Sequence, residues 1–377
     1  MNRILFDQNA QARSTNFQSL SQRLRAIARR LTFIGTVAAA ASCGVGVGPG
    51  DETSETPDDS VAEAQQAATV SPIGTAVKFH PGHYYHIPAQ NPETIIANNE
   101  FATTSALRGA QVRYYWQQLE PSVDTYDFTL IEQHLAALQA KGERLVILLQ
   151  TKSFGADDHV VPNYMKTAGY DGGEFAYGAW DDTTDTVKGY NLSLWNSGVR
   201  WRLTRLINKL GARFNNEPYF EGVGLVETAV GTPIGSPPNY NESKFYGKLL
   251  TVNKSMKAAF PNTMTFQFLN YPPGILENFI AGPSGLQSFA GGLGGPDVWL
   301  QDPGVNDAGR VYSYYEEFKH VIPLSPSIMP GNYRNTRHDN TGYQPTLTEL
   351  VSFARNKLHA NYLFWTRISK AGDPGYF

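Results

Sequence analysis

Glu227 ends the apolar half of the stretch Gly222–Gly231, GVGLVETAVG. A carboxylate placed there is costly to desolvate unless it is paired, hydrogen-bonded or left at a solvent-facing mouth. Held half-buried, such an acid is shifted toward the proton affinity that a general acid needs. The competing reading is an ion pair, with Arg113 or Lys152 as the partner. Three imidazoles, His80, His83 and His86, stand in HPGHYYH. No acid accompanies them and Pro81-Gly82 marks a loop, so hydrogen bonding to a ligand is expected there rather than a metal site. No metal and no cofactor are expected anywhere in the chain.

Further polar and aromatic groups fall at or just after segments that read as strands: Tyr114, Trp116, Lys152, Trp180, Asn270, Tyr271, Trp299, Arg334 and Trp365. Polar groups interleaved with flat aromatic faces suit carbohydrate recognition, although aromatics at strand ends also plug barrel tops. The sequence lacks G-x-S-x-G, H-E-x-x-H, P-loop and dinucleotide-binding motifs. Its net charge of −3 carries no basic surplus, which argues against nucleic acid as a partner. The single cysteine excludes an internal disulfide.

These residues need a scaffold, and from Pro72 onward the pattern alternates strand and helix. Strands are expected at 76–79, 111–116, 144–150, around 222–227, 263–270, 297–302, 325–329 and 361–367. The continuous apolar run RLVILLQ (144–150) reads as a fully buried strand. Val199, Leu203, Leu206, Ile207 and Leu210 share one helical face. A helix is expected over about 242–259, Asp127 is a plausible N-cap, and Thr346 with Glu349 forms a capping box. A long insertion runs from Ser153 to about Tyr190. Eight strands over about 300 residues fit an α/β fold, a single-domain (β/α)8 TIM barrel, with the site at the strand C-termini. A doubly wound open sheet is the alternative, weakened by the missing Gly-rich loop after the first strand.

Within this pattern, Val112–Leu149 resembles the retaining (β/α)8 glycoside hydrolases that include β-galactosidases, cellulases and mannanases. The shared elements are Arg113-x-x-Trp116, Leu119-Glu120-Pro121 and Tyr126-Asp127-Phe128. The resemblance implies that Glu227 is the acid/base ending strand four, and that Trp365 is the sugar-platform tryptophan ending strand eight. Two positions depart from it. Val226 stands where the family has Asn, and the seventh strand, SPSIMPGNYRN, contains no acid where the family has its nucleophile. Glycoside hydrolysis needs two carboxylates, about 5 Å apart for retention and about 6.5–9.5 Å apart for inversion. Asp302, in WLQDPG, is the expected second one; it is equally readable as a turn-former before Pro303. Glu120 reads as a loop anchor, and Glu316 and Glu317 as solvated. The expected function is hydrolysis of an oligo- or polysaccharide by a monomer. The alternatives are a non-catalytic carbohydrate-binding barrel and a polysaccharide lyase.

The first residues have a different character. Arg23, Arg25, Arg29 and Arg30 precede a short apolar run, Leu31–Ala41, that reads as an export signal. It ends in Ala40-Ala-Ser-Cys43-Gly, which resembles a lipoprotein processing site with Cys43 lipidated. Residues 1–43 are thus expected to be a signal and 44–71 an acidic, aromatic-poor tether. The barrel then occupies 72–377. The expected location is the outer membrane, facing the periplasm or the exterior, with contact to the bilayer only through the lipid.

Overall fold

The computed structural model describes residues 77–87, 106–179, 184–271 and 274–366. The expected export signal, Cys43, the tether and Trp180 lie outside the described residues. Eleven strands are described: β1 (Gly82–Ile87), β2 (Leu107–Tyr115), β3 (Arg144–Gln150), β4 (Glu174–Gly178), β5 (Gly189–Leu192), β6 (Phe220–Leu225), β7 (Thr232–Pro233), β8 (Met264–Phe268), β9 (Gly292–Gly295), β10 (Leu324–Ile328) and β11 (Tyr362–Thr366). Eight of them close into a barrel of order β1-β11-β10-β9-β8-β6-β3-β2, and every pairing around it is parallel. The remaining three form an antiparallel sheet of order β5-β4-β7. The fold is the expected (β/α)8 barrel.

The helices are α1 (Trp116–Leu119), α2 (Thr129–Gln139), α3 (Ser197–Phe214), α4 (Glu242–Ala259), α5 (Pro303–Asn306), α6 (Val311–Phe318) and α7 (Leu347–Asn356). Local chemistry explains their starts. Asn196 caps α3 by accepting from the Gly198 and Val199 N–H groups, and the Thr346–Glu349 box opens α7 as expected. The expected face of α3 is buried along its length. The N-cap of α2 is Phe128, one residue past Asp127, whose carboxylate accepts the Thr129 N–H instead.

Alternation along each strand separates two cores. Inward-facing Tyr84, Val146, Leu148, Met264, Phe266, Phe268, Tyr362 and Phe364 fill the lumen. Outward-facing Val112, Ile147, Leu149, Val223, Leu225 and Leu363 pack beneath the helices. The lumen is filled unevenly. A Cβ on Gly224 would lie 2.2 Å from the Phe266 ring, and one on Gly294 would lie 2.5 Å from Phe268. Glycines on β6 and β9 therefore make room for the two rings of β8 between them.

Two expected strands move. The first is Gly82–Ile87 rather than 76–79, so the three histidines do not share a loop at the mouth. His80 lies before β1, at the N-terminal rim. Its Nδ1 is 2.8 Å from Glu221 Oε2, and its backbone N–H donates to Glu221 Oε1. His83 faces outward, where it accepts from the Trp365 indole at 2.9 Å and meets the Arg355 guanidinium at 3.2 Å. His86 alone reaches the C-terminal end of the lumen, beside Gln111. The sixth barrel strand is β9, so residues 297–302 follow it and already form part of the mouth.

The floor of the barrel is closed by Glu221, which is fully buried near the start of β6. It accepts from the Tyr362 hydroxyl at 2.7 Å in addition to its bonds with His80. One strand thus carries an acid at each end, Glu221 below and Glu227 above.

Gly224→Ala is expected to lower unfolding free energy by about 1–3 kcal/mol through overpacking. Adding Phe266→Leu should return part of the loss, with urea unfolding as the measurement. A second expectation concerns pH. Burial, with Arg355 beside it, lowers His83 to about 4, burial with Arg113 beside it lowers His86 to about 3, and burial lowers His134 to about 4, all from 6.5. The unfolded chain therefore takes up these protons first. Stability should decline as pH falls from about 6.5 toward about 4, and His83→Gln should make that slope shallower.

Candidate active site

Glu227 stands two residues beyond β6, at the C-terminal mouth, with its side chain 15% exposed. Its Oε1 forms an ion pair with the ammonium of Lys152, whose side chain is 4% exposed. Its Oε2 accepts from Asn270 Nδ2 at 2.9 Å. The Thr228 hydroxyl donates to Asn270 Oδ1 at 3.4 Å, which orients that amide. Arg113, on the lumen side of β2, also lies within the field of Glu227. The ion-pair reading of Glu227 is therefore what the geometry holds, with Lys152 as partner and Arg113 nearby.

Lys152 is placed by the insertion. It bridges to Asn191 of β5, and Ser153 accepts the Tyr177 hydroxyl on its carbonyl at 2.7 Å. Asn191 in turn donates to the Val230 carbonyl at 2.9 Å, tying the loop that carries Glu227 to the same sheet. The Lys152 ammonium lies 4.6 Å from the Tyr177 ring centroid and 5.0 Å from that of Phe154. Gly231, at φ +74°, leaves the room Tyr177 needs, since a Cβ there would meet its ring at 2.3 Å.

The second acid of the mouth is Asp297, two residues beyond β9. The residue is partly buried. Burial first, and then the charge of Glu227, push it well above the ordinary carboxylate range. Asn332 and the Trp299 indole oppose that rise weakly as hydrogen-bond donors. Tyr271 feels the charges of Asp297, Asp302 and Glu227 together, so it sits among the three acids. Asp302 is differently employed. Its Oδ1 accepts the Gly304 N–H at 2.8 Å as the N-cap of α5, and its Oδ2 accepts the His338 N–H at 2.9 Å. Both oxygens hold backbone, which is the turn-forming reading.

Several buried polar atoms here have no hydrogen-bond partner among the described residues: His86 Nε2, Gln111 Nε2, Arg113 Nε and Tyr271 Oη. Buried polar groups are ordinarily paired, and this set gathers around the upper lumen and Asp297. Phe154, 49% exposed, stands over Lys152 and 5.7 Å from the Arg113 guanidinium.

Of the residues expected in the site, Glu227, Lys152, Asn270, Tyr271 and Trp299 converge on the mouth. Arg334 is exposed in the loop after β10. Five others are placed elsewhere. His80 seals the floor, and His83 and Trp365 pair in the outer shell. Tyr114 bonds His134 of α2 at 2.6 Å, and Trp116 donates to Glu120 at 2.8 Å. Parity along β2 turns Tyr114 away from the lumen, and Trp116 opens α1 beyond that strand. Asp297, Arg113 and Phe154 enter instead. Arg113 was legible in Arg113-x-x-Trp116, and Phe154 as an aromatic four residues past a buried strand. Asp297 had only its place after the Gly-rich segment.

No protein-family model and no curated protein matches the sequence. Solved glycoside hydrolases match the fold. The β-galactosidase of Bacillus circulans sp. alkalophilus superposes with a TM-score of 0.50 at 13% identity, over 80% of this chain and 52% of that one. Endo-glycoceramidase II from Rhodococcus sp., in its cellobiose-like isofagomine complex, gives 0.49 at 11% identity, over 81% and 78%. The β-galactosidase of Marinomonas ef1 gives 0.49 at 8%, over 78% and 55%. This chain spans about half the length of the β-galactosidases it matches. Identity at this level speaks for the barrel alone.

Lys152→Met leaves the Glu227 charge without its counter-ion and is expected to cost about 3 kcal/mol of stability. Lys152→Met combined with Glu227→Gln should cost less than Lys152→Met alone, because no uncompensated charge remains. Urea unfolding of the three proteins at neutral pH checks both statements.

Proposed function

We propose that this protein is a glycoside hydrolase acting at the C-terminal mouth of its barrel. The observation that carries the reading is the placement of two acids at that mouth, Glu227 two residues beyond β6 and Asp297 two residues beyond β9, with the charge of Glu227 among the causes that raise Asp297. Hydrolysis of a glycosidic bond needs one carboxyl to protonate the departing oxygen. It needs a second to attack the anomeric carbon or activate water. Asp302, bound on both oxygens to backbone N–H groups, is replaced in this scheme by Asp297.

The surroundings support a polyhydroxylated ligand. The unpaired donors and acceptors around the lumen suit hydroxyl groups, and Phe154 offers a flat apolar face beside them. The position of Glu227 after the fourth strand agrees with the resemblance noted in the sequence, and the neighbouring folds belong to proteins that cleave glycosides. A second reading, a sugar-binding barrel without turnover, is favoured by one observation. Strand β10 presents Ser325 and Ser327 to the lumen and no acid.

Purified protein assayed on a broad set of oligosaccharides, with reducing-end release as readout, is expected to show turnover on at least one. Glycan retention without release would establish the binding reading instead. On a hydrolysed substrate, Phe154→Ala should raise KM about tenfold while changing kcat little, because a stacking contact is worth about 1 kcal/mol or somewhat more.

A further inference from the structure

We propose that the mouth takes a glycan bearing an anionic group, the carboxylate of a uronic acid or a sulfate ester, and that Arg113 is the residue that selects it. This rests on the hydrolase reading above and names the substrate class within it.

Charge pairing in the mouth leaves one cation over. Arg113 lies on the lumen side of β2, and Lys152 stands two residues beyond β3, the strand paired with it. Glu227 is the carboxylate whose charge reaches Arg113. Both of its oxygens are engaged elsewhere, Oε1 by the Lys152 ammonium and Oε2 by the Asn270 amide. Among the described residues no ion pair and no hydrogen bond holds the Arg113 guanidinium, and its Nε is enclosed without a partner. The residue keeps partial exposure, so the side chain is open to a ligand. A charge withdrawn from water in this way is ordinarily paired, and here the chain supplies no partner.

The other acids of the mouth stand across the barrel. In the closed order of strands β9 is diametrically opposite β2, which puts Asp297, two residues beyond β9, on the far rim. Asp302 is held by the Gly304 and His338 N–H groups. Strand β10, opposite β3, presents the neutral side chains of Ser325 and Ser327. The mouth is thus cationic along β2 and β3 and acidic beyond β9, and an anionic substituent has one side on which to lie.

Neighbouring groups shape that side for a sugar. Phe154, about half exposed, lies 5.7 Å from the guanidinium and 5.0 Å from the Lys152 ammonium. It shields both from water, which strengthens their attraction for an anion. Gln111, two residues back on the same face of β2, has its Nε2 unpaired, as is Nε2 of His86. Gln111 Oε1 and His86 Nδ1 are 2.5 Å apart. Since Oε1 can only accept, this contact assigns the ring proton to Nδ1 and leaves Nε2 as an acceptor. A planar fork of donors beside one further donor and one acceptor fits an anionic group with a hydroxyl next to it. A neutral sugar would leave the guanidinium without a counter-charge.

Binding tests the proposal whether or not turnover occurs. The probes are oligosaccharide fragments of galacturonan, glucuronan, glucuronoxylan and alginate, each compared with the same fragment after reduction of its carboxyl groups. Sulfated galactan fragments and their desulfated forms complete the set, and calorimetric titration of the full chain gives each affinity. At least one acidic fragment is expected to bind about tenfold or more tightly than its neutral form, as a hydrogen bond to a charged group allows. The pair that shows this ratio distinguishes carboxylate from sulfate, and the ratio should shrink as salt rises. Arg113→Met and Arg113→Gln should each abolish the ratio, whereas Arg113→Lys, which keeps the charge without the fork, should retain part of it. A ratio near one for every pair overturns the proposal, as does a ratio that survives in Arg113→Met or Arg113→Gln. Acidic preference without cleavage of any glycan upholds the proposal and sinks the hydrolase reading. Cleavage confined to neutral glycans, with no acidic preference, does the reverse.

Discussion

The Lys152–Glu227 ion pair is the constraint around which the mouth is arranged. A carboxylate ending an apolar strand requires compensation, and the ammonium that supplies it is itself almost wholly covered. Removing either charge from water costs several kcal/mol that only close pairing and further hydrogen bonds recover. This explains the supporting parts: the Asn270 amide on the second oxygen, the Tyr177 and Phe154 faces around the ammonium, and the β5-β4-β7 sheet that fixes the backbone of residues 152 and 153. The sheet looks like an ornament on the barrel, yet it positions a charge.

The lumen divides along its axis by polarity. The lower part is aromatic, with Tyr84, Tyr362 and Phe364 packed at ring-centroid distances of 5.5–6.5 Å above the Glu221 seal. The upper part changes to His86, Gln111, Arg113, Gln150 and Asn270. Because every strand is parallel, all eight contribute to this gradient in the same sense, and chemistry is confined to one rim. The glycines of β6 and β9 set its lateral shape. By yielding space to Phe266 and Phe268 they keep β8 filled and its neighbours thin.

Legibility followed the strength of each local signal. RLVILLQ was placed to the residue, because a continuous apolar run has few other uses, and the helix expected over about 242–259 has those bounds. Glu227, Lys152, Asn270 and Tyr271 fall at the mouth because each stands just past or at the end of an expected strand, whereas Trp299 reaches it through the shift of the sixth strand. The first strand was misplaced since Pro81-Gly82 reads as a turn and GHYYHI lacks β-branched residues until its last position. The sixth was misplaced because Gly292–Gly295 has almost no side chain to carry a pattern. That second shift hid Asp297 inside an expected strand and advanced Asp302. Parity caused the remaining errors. Without an exact strand start, one residue of slip exchanges lumen for shell, as happened with Tyr114 and Trp365. Sequence-distant pairs such as Asn191 with Val230 leave no local trace.

The tie between the inserted sheet and the Glu227 loop has a consequence for how damage spreads. The insertion is joined to the rest of the barrel by the Lys152 bridge, the Asn191 amide and the Gln117 amide on the His159 carbonyl, and its Val161, Phe175, Tyr177 and Leu192 side chains belong to the outer core. A substitution that loosens this packing therefore acts on Lys152 and on the loop of Glu227 together. Lesions remote from the mouth in sequence would register there as weakened charge pairing.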